Sequence, residues 1–571
     1  MRRVYSRRRE AWLETLRSRV VAVAASGQAG SSEVAGRTAA LSLREPDRVR
    51  DGMPPEATEH VASEPEELRF PTLTGAEIRE RAASGVVLLV GRSLLLKGIG
   101  LASNIVLARL LLPEDFGVVA LGMTIIAMGS FVSDAGLGVG LVRRPEPPTV
   151  AEMRAITGFQ LLGTSLVGVG AAAIGLLLGG SGAITALMML ALPLGAFRTP
   201  AMIYLDRQMQ FEVKVRVEVV ETLAYVTVAI ALAAAGAGAW SIASATVIRV
   251  LVGNAVLSVS TPFGFKPPSL DFAAIRPLLG FGLALQGVSA IHLAHDVALV
   301  SGITAVSGLA VLGLWTLAMR VLQIPSLLYE AVYNVSFPAY ARLSETDEDI
   351  GPTIERSVTA LAVSCGMVLT VVGGSAYAAI PLIFGDRWQD AAVILPGACL
   401  ALAVSAPVNI GMLSFLTARG DIRTPLITTL IGTPVRLVSS LAGLAVWGVG
   451  ALGFGWLLGA LVELPVVVRR AQEAARRPLV RGFAVPALAT ALGIAAGWGV
   501  AMSVQSAAAG TVLSASVAFV MFAVSLALLD ARALTFALST LRRSAGAARR
   551  RYGHRRRPPD LSERSATVRV E

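Results

Sequence analysis

The chain has 571 residues, 54% of them hydrophobic and only 16% charged, and its mean hydropathy is +0.66. A water-soluble globule of this length carries more charge, so a soluble enzyme or soluble nucleic-acid-binding domain is excluded. The net charge of +11 is instead a topology signal, because most basic residues lie in loops and tails, where Arg and Lys mark the cytoplasmic side of a membrane.

Residues 1–83 form a polar, mixed-charge extension. "MRRVYSRRREAWLETLRSRV" suits a basic amphipathic helix, and "LREPDRVRDGMPPEATEHVASEPEEL" reads as disordered linker. The apolar stretch "VVAVAA" is too short for a cleaved signal peptide, so a cytoplasmic tail is expected. Apolar runs of about twenty residues, enough to cross a bilayer core of roughly 30 Å as a helix, then recur along the chain. They place about fourteen spans at 85–108, 116–138, 156–178, 183–205, 216–235, 239–260, 279–302, 308–335, 357–380, 391–416, 425–447, 450–468, 482–502 and 510–530.

With a cytoplasmic N-terminus, the inner loops hold about seventeen Arg and Lys and the outer loops about two, Arg109 and Arg387. Trp240, Trp315, Trp388, Trp447, Trp456 and Trp498 all fall in or near the predicted outer half, as interface-seeking side chains should. The turns "LLPEDFG" and "FGDRWQD" read as outer corners, with Pro113 and Gly117 setting the first bend.

The expected fold is therefore an all-α polytopic membrane protein with about fourteen transmembrane helices. An even number of crossings per half makes the two six-helix lobes, 84–260 and 279–470, parallel pseudo-repeats around a central cavity. A cytoplasmic linker at 261–278 joins them; two additional helices occupy 482–530, and a basic cytoplasmic tail covers 531–571. The two cysteines, Cys365 and Cys399, both lie in apolar runs, so neither a disulfide framework nor a zinc site is expected, and no cofactor.

Several stretches resemble the polysaccharide transporter (oligosaccharide flippase, Wzx-type) family of the multidrug/oligosaccharidyl-lipid/polysaccharide superfamily. "NIVLARLLLPEDFGVVALG" at 104–122 is similar to the family's first corner, and "DAGLGVGLVRR" at 134–144 to the exit of its second helix. The block at 296–343, with Asp296, a Gly-bearing turn, "LGLWTLAMR" and "FP", resembles the second half, and "PLIFGDRWQDAAVILP" at 381–396 its outer corner. Trp315, where a tyrosine is common, and the pair His292 and His295 depart from the pattern. The resemblance implies a flippase that moves a polyprenyl-diphosphate-linked oligosaccharide across the bacterial cytoplasmic membrane by alternating access, for exopolysaccharide or lipopolysaccharide synthesis. It implies membrane lipids, a glycan polymerase and glycosyltransferases of the same pathway as partners, and an apolar groove for the lipid tail at the two added helices.

The intramembrane charges point the same way. A sugar diphosphate is polar and anionic, and crossing the bilayer requires a wet cavity lined by cations, which Arg and Lys supply. Lys97 lies near the middle of the first span with Ser93, Gly100 and Asn104 on one face. Arg92, Arg249, Arg320 and Arg436 are also inside spans, where a basic group costs roughly 2.5–3.5 kcal/mol. These six residues other than Ser93 and Gly100 are the candidate substrate ligands. The alternative is structural: Arg92 and Arg198 snorkel, and others pair with Glu463 or Glu330.

In "IHLAHDVALVSG", Ser289, His292 and Asp296 share a face of span 7, with His295 at its edge. A carboxylate and imidazole four residues apart can share a proton. His292, His295 and Asp296 are thus the candidate coupling site for a proton or sodium ion, at the depth of Lys97 on the opposite wall. Alternatively, Asp296 pairs with an Arg and the histidines bond across helices. A membrane-embedded polymerase or glycosyltransferase would need catalytic groups on a sizeable loop, and the outer loops are only a few residues long, so an enzyme is not expected. A multidrug cation exporter of the same superfamily would call for an acidic cavity.

Overall fold

The computed structural model describes residues 75–530 except 139–140, 142–143, 145, 262–266, 272, 277–285, 344–350 and 422, with positions 531 and 535 beyond. The expected amphipathic helix and linker before residue 75 and most of the basic tail lie outside the described residues.

The described secondary structure is entirely helical. The first half contains α1 (Gly75–Leu110), α2 (Pro113–Asp134), α3 (Val150–Leu178), α4 (Gly182–Ala196), α5 (Thr199–Arg207), α6 (Phe211–Ala234) and α7 (Trp240–Ser260). The second contains α8 (Gly287–Leu343), α9 (Gly351–Phe384), a 3-10 turn at Asp386–Trp388, then α10 (Gln389–Ala406), which continues through a π-turn at Pro407–Leu413 into α11 (Ser414–Ala418). α12 (Arg423–Trp447), α13 (Ala451–Ala475), α14 (Val480–Ser503) and α15 (Ala507–Leu529) complete the fold.

Local chemistry sets the helix ends. Pro113 opens α2, and the Asp115 carboxylate accepts the orphan Leu112 N–H at 2.9 Å. Thr149 and Glu152 form a reciprocal capping box on α3. Among the described residues, twelve helical segments are long and apolar enough to cross a bilayer, or thirteen with α4 and α5, bent by 46°, counted as one span.

The remaining difference from fourteen lies in α8. A straight helix of its 57 residues would run about 85 Å, far more than a bilayer core. Gly308, at φ 82° and ψ −179°, breaks it into two arms, 287–307 and 309–343, which correspond to the seventh and eighth expected spans. The chain is thus a multi-pass membrane protein. Helix α1 begins at Gly75, ahead of the expected start of the first span, because "GAEIRERAA" is rich in helix formers although too polar for lipid.

The two ends of the bundle differ in how the halves meet. Turns at 111–112, 179–181, 235–239, 385–388 and 448–450 define a charge-poor end. Near it, one large apolar core joins both halves, with Leu107, Leu111, Phe116 and Val119 packed among Ile303, Leu312, Leu317, Phe384 and Trp388. At the charge-rich end the cores are separate: Leu137, Leu141, Met153 and Ile156 belong to one, Tyr340, Ile354, Met412 and Phe415 to another.

Trp388 is fully buried, donates its indole N–H to Ala108 O at 2.8 Å and packs edge-on against Phe116. It is an anchor between the halves, whereas Trp447, 81% exposed, keeps the interfacial character expected of tryptophan. Helices α14 and α15 pack on α9 through small residues: a Cβ on Gly493 would meet Thr370, and one on Gly374 or Gly497 would meet Ala518.

Candidate functional site

Helix α1 and the second arm of α8 border a half-open cavity of about 310 Å³ lined by Leu94, Lys97, Gly100, Leu101, Asn104, Arg320 and Gln323, among others. Lys97, Gly100 and Asn104 recur at helical spacing, so one face of α1 supplies its cation and amide. Arg320 enters from the facing helix, donates through Nη1 to Asn104 Oδ1, and holds its guanidinium 5.3 Å from the Phe116 ring centroid. Two cations and two amides therefore converge on an otherwise apolar chamber, and no carboxylate is among the described residues that line it. Gln323 was not singled out from sequence; its position three residues after Arg320, on the same face, is the signal that could have found it.

The other candidate cations do not line this cavity. Arg92 of α1 pairs with Glu218 of α6. Arg198 Nη2 and Arg249 Nε approach the two oxygens of Glu221 at 2.6 and 3.6 Å, and Glu221 is only 1% exposed. Arg436 donates to Glu463 at 3.0 Å and lies over the Trp456 ring. All four thus face acids on neighbouring helices: Arg436 meets Glu463, as the structural alternative expected, whereas Arg92 and Arg198 pair with acids instead of snorkelling and Arg249 meets Glu221. Sequence reading missed Glu218 and Glu221, although two acids three residues apart within the apolar "VRVEVVETLAYV" are themselves an intramembrane signal.

The clusters of the two halves resemble each other. On α7, Arg249 and Gly253 lie four apart, and a Cβ on Gly253 would strike Glu221 of α6. On α12, Gly432 and Arg436 lie four apart, and a Cβ on Gly432 would strike Glu463 of α13. Glycine is needed at both places so that a carboxylate can lie flat against the neighbouring helix.

The expected coupling cluster is arranged differently from its sequence reading. Asp296 meets its neighbour His295, with Nδ1 to Oδ1 at 3.1 Å, rather than His292 one turn away. His295 is buried and its Nε2 has no hydrogen-bond partner among the described residues, while the Asp296 side chain is 68% exposed. Ser289, His292 and Asp296 do share one exposed face, as the periodicity requires. None of them is among the lining residues of the Lys97 cavity, so the expected opposite-wall pairing of Lys97 and His292 is not what the structure shows.

Residues 106–393 match the sequence profile of a family described as "Polysaccharide biosynthesis protein". The chain belongs to that family. It is 25% identical over 361 residues to the lipopolysaccharide biosynthesis protein WzxC of Escherichia coli K12, covering 60% of this chain and 72% of that protein. It is 24% identical over 316 residues to the succinoglycan biosynthesis transport protein ExoT of Rhizobium meliloti, covering 53% of this chain and 63% of that one.

Among solved structures, the lipid II flippase MurJ in an inward closed conformation superposes with a TM-score of 0.58 at 9% identity, covering 78% of this chain and 98% of MurJ. An inward-facing MATE multidrug transporter of the MOP superfamily superposes at 0.50 and 15% identity, covering 67% and 94%. The fold is that of the MurJ and MATE transporters.

Proposed function

We propose that this chain is a flippase that carries a polyprenyl-diphosphate-linked oligosaccharide across the cytoplasmic membrane, with its charge-rich end and both termini cytoplasmic. The observation that carries this reading is the convergence of Lys97 and Arg320, with Asn104 and Gln323, on one chamber between the halves. A diphosphate is the ligand that such a pair suits: the guanidinium offers a fork of donors, the ammonium a point charge, and the amides bond neighbouring hydroxyls. The names of WzxC and ExoT, which place those proteins in polysaccharide biosynthesis and transport, support the same substrate class. A cationic drug would require carboxylates where this cavity has cations, which disfavours the multidrug-exporter reading.

Asp296 belongs to the same proposal as the coupling residue. An intramembrane carboxylate 68% exposed needs water beside it, so its face of α8 borders a hydrated path through which a proton or sodium ion reaches it. His295 shares the bound proton. The test is translocation of a fluorescent lipid-linked oligosaccharide by the purified chain in proteoliposomes. Cargo should become accessible to an added glycosidase, faster under an imposed ion gradient, and the gradient effect should disappear in Asp296→Asn. Absence of protein-dependent translocation would overturn the flippase reading; an intact gradient effect in the variant would overturn the coupling assignment alone.

A further inference from the structure

At the charge-poor end each half caps a helix of the other. Arg109, in the last turn of α1, donates to Leu382 O and Ile383 O at 2.6 and 2.9 Å, the orphan carbonyls at the end of α9. Arg387, in the 3-10 turn after α9, donates back to Leu111 O at 3.3 Å, just beyond the end of α1. Both place a cation at the negative end of a helix dipole in the opposite half.

The backbones beneath are reciprocal too. A Cβ on Gly117 of α2 would lie 1.9 Å from Leu309 O, and one on Gly313 of α8 would lie 1.8 Å from Pro113 O. Pro113 and Gly117 correspond to Leu309 and Gly313, four residues apart in each half. Gly117 therefore serves close contact between the halves rather than the bend expected from sequence. At the charge-rich end, the link across the halves found among the described residues is a long hydrogen bond, Gln286 Nε2 to Asp134 at 3.4 Å.

We propose that Arg109 and Arg387 form a reciprocal latch that holds the charge-poor end shut while the cavity loads, and that opening this latch is the step that exposes cargo to the far side of the membrane. The proposal rests on the transporter reading. Its contacts suit a gate: they are arginine-to-carbonyl bonds, exposed at Arg109 and half-buried at Arg387, at the rim of an apolar joint, individually modest, and all run between the halves. The buried Trp388 bond to Ala108 O is the one that opening must also break, so the arginines set how readily the joint parts rather than carrying it alone.

The test needs neither cargo nor transport, so its failure is separable from failure of the flippase reading. In protein with Cys365 and Cys399 replaced by Ala, a single cysteine is placed at Leu312, fully buried between the halves, or at Met412, fully buried in the charge-rich core of the second half. Maleimide labelling in nanodiscs is then timed with and without Arg109→Gln and Arg387→Gln. The latch requires labelling at position 312 to accelerate about tenfold, the ratio for roughly one lost hydrogen bond's free energy, with position 412 unchanged. Unchanged labelling at 312, or equal acceleration at both positions, would overturn the latch. If the double variant does not fold, Arg109→Gln alone, which leaves the Arg387 and Trp388 bonds in place, decides by the same criteria with a smaller acceleration.

Discussion

Two groups of intramembrane cations lie close together in the first half and its junction with α8, and their surroundings differ. Arg198 and Arg249 close on Glu221, which is 1% exposed. Lys97 and Arg320 line a chamber whose other described lining residues are amides and apolar side chains. In lipid, a cation held against a buried acid ties helices together, whereas cations gathered on a cavity wall give that wall a positive surface suited to an anion. A count of basic residues in apolar helices cannot separate these roles; which side chains surround each cation can.

The largest effect should come from breaking the paired group. Glu221→Ala removes the buried partner of Arg198, whose side chain is only 22% exposed, which should cost about 3 kcal/mol and appear as a large fall in the thermal midpoint of the detergent-solubilised protein. A midpoint within a degree or two of the parent would erase the distinction between the groups.

Lys97→Ala should do the reverse. Loss of one charge-assisted contact, about 1.5–3 kcal/mol, should slow translocation tenfold or more while the thermal midpoint barely moves. If stability falls and transport does not, Lys97 is structural.

The Gly253 and Gly432 contacts sharpen the comparison between halves. Gly253→Ala forces the Glu221 side chain to move, and Gly432→Ala forces Glu463. Each should cost about 1–3 kcal/mol by overpacking, with similar values if the clusters are equivalent. A measured difference of several kcal/mol between them would end the analogy.

The smallest effect lies outside the membrane, where Asp421 accepts the N–H groups of Arg423 and Thr424 at 3.1 and 3.0 Å and opens α12. Burial pushes its carboxyl up, but the bonds from Thr424 and Arg423 outweigh this and hold it below the ordinary carboxylate range. A depressed value stabilises the folded state above the unfolded-state pKa and is lost as pH falls through the folded one. Asp421→Ala should cost about 1 kcal/mol at neutral pH, and the difference from the parent should vanish in acid; a pH-independent difference would show that the cap does not depend on charge.

Much of the fold was legible because hydrophobic length and turn chemistry are local. Each of the fourteen expected spans finds a helical counterpart once α8 is divided at Gly308, the first residue of the expected eighth span. Lys97 and Asn104 were legible as one face for the same reason, and Arg320 as a cation within a span. What the sequence could not supply was long-range pairing. The partners of Arg109 are 273 and 274 residues away, and helical periodicity does not say which neighbour a face will meet. Arg92, Arg249 and Arg436 were read as cavity ligands because their acids lie on other helices, and Asp296 was matched to the wrong imidazole because periodicity favours a residue one turn away over a neighbour in sequence.

Equilibrium binding of a polyprenyl-diphosphate oligosaccharide, compared with the corresponding uncharged polyprenyl-linked glycan, puts the cation-lined chamber to its sharpest trial. The parent protein should prefer the diphosphate, and Lys97→Ala combined with Arg320→Ala should reduce that preference by about a hundredfold, two charge-assisted contacts' worth, while leaving affinity for the uncharged glycan unchanged. Equal discrimination by parent and variant would place diphosphate recognition elsewhere and contradict the assignment of this cavity.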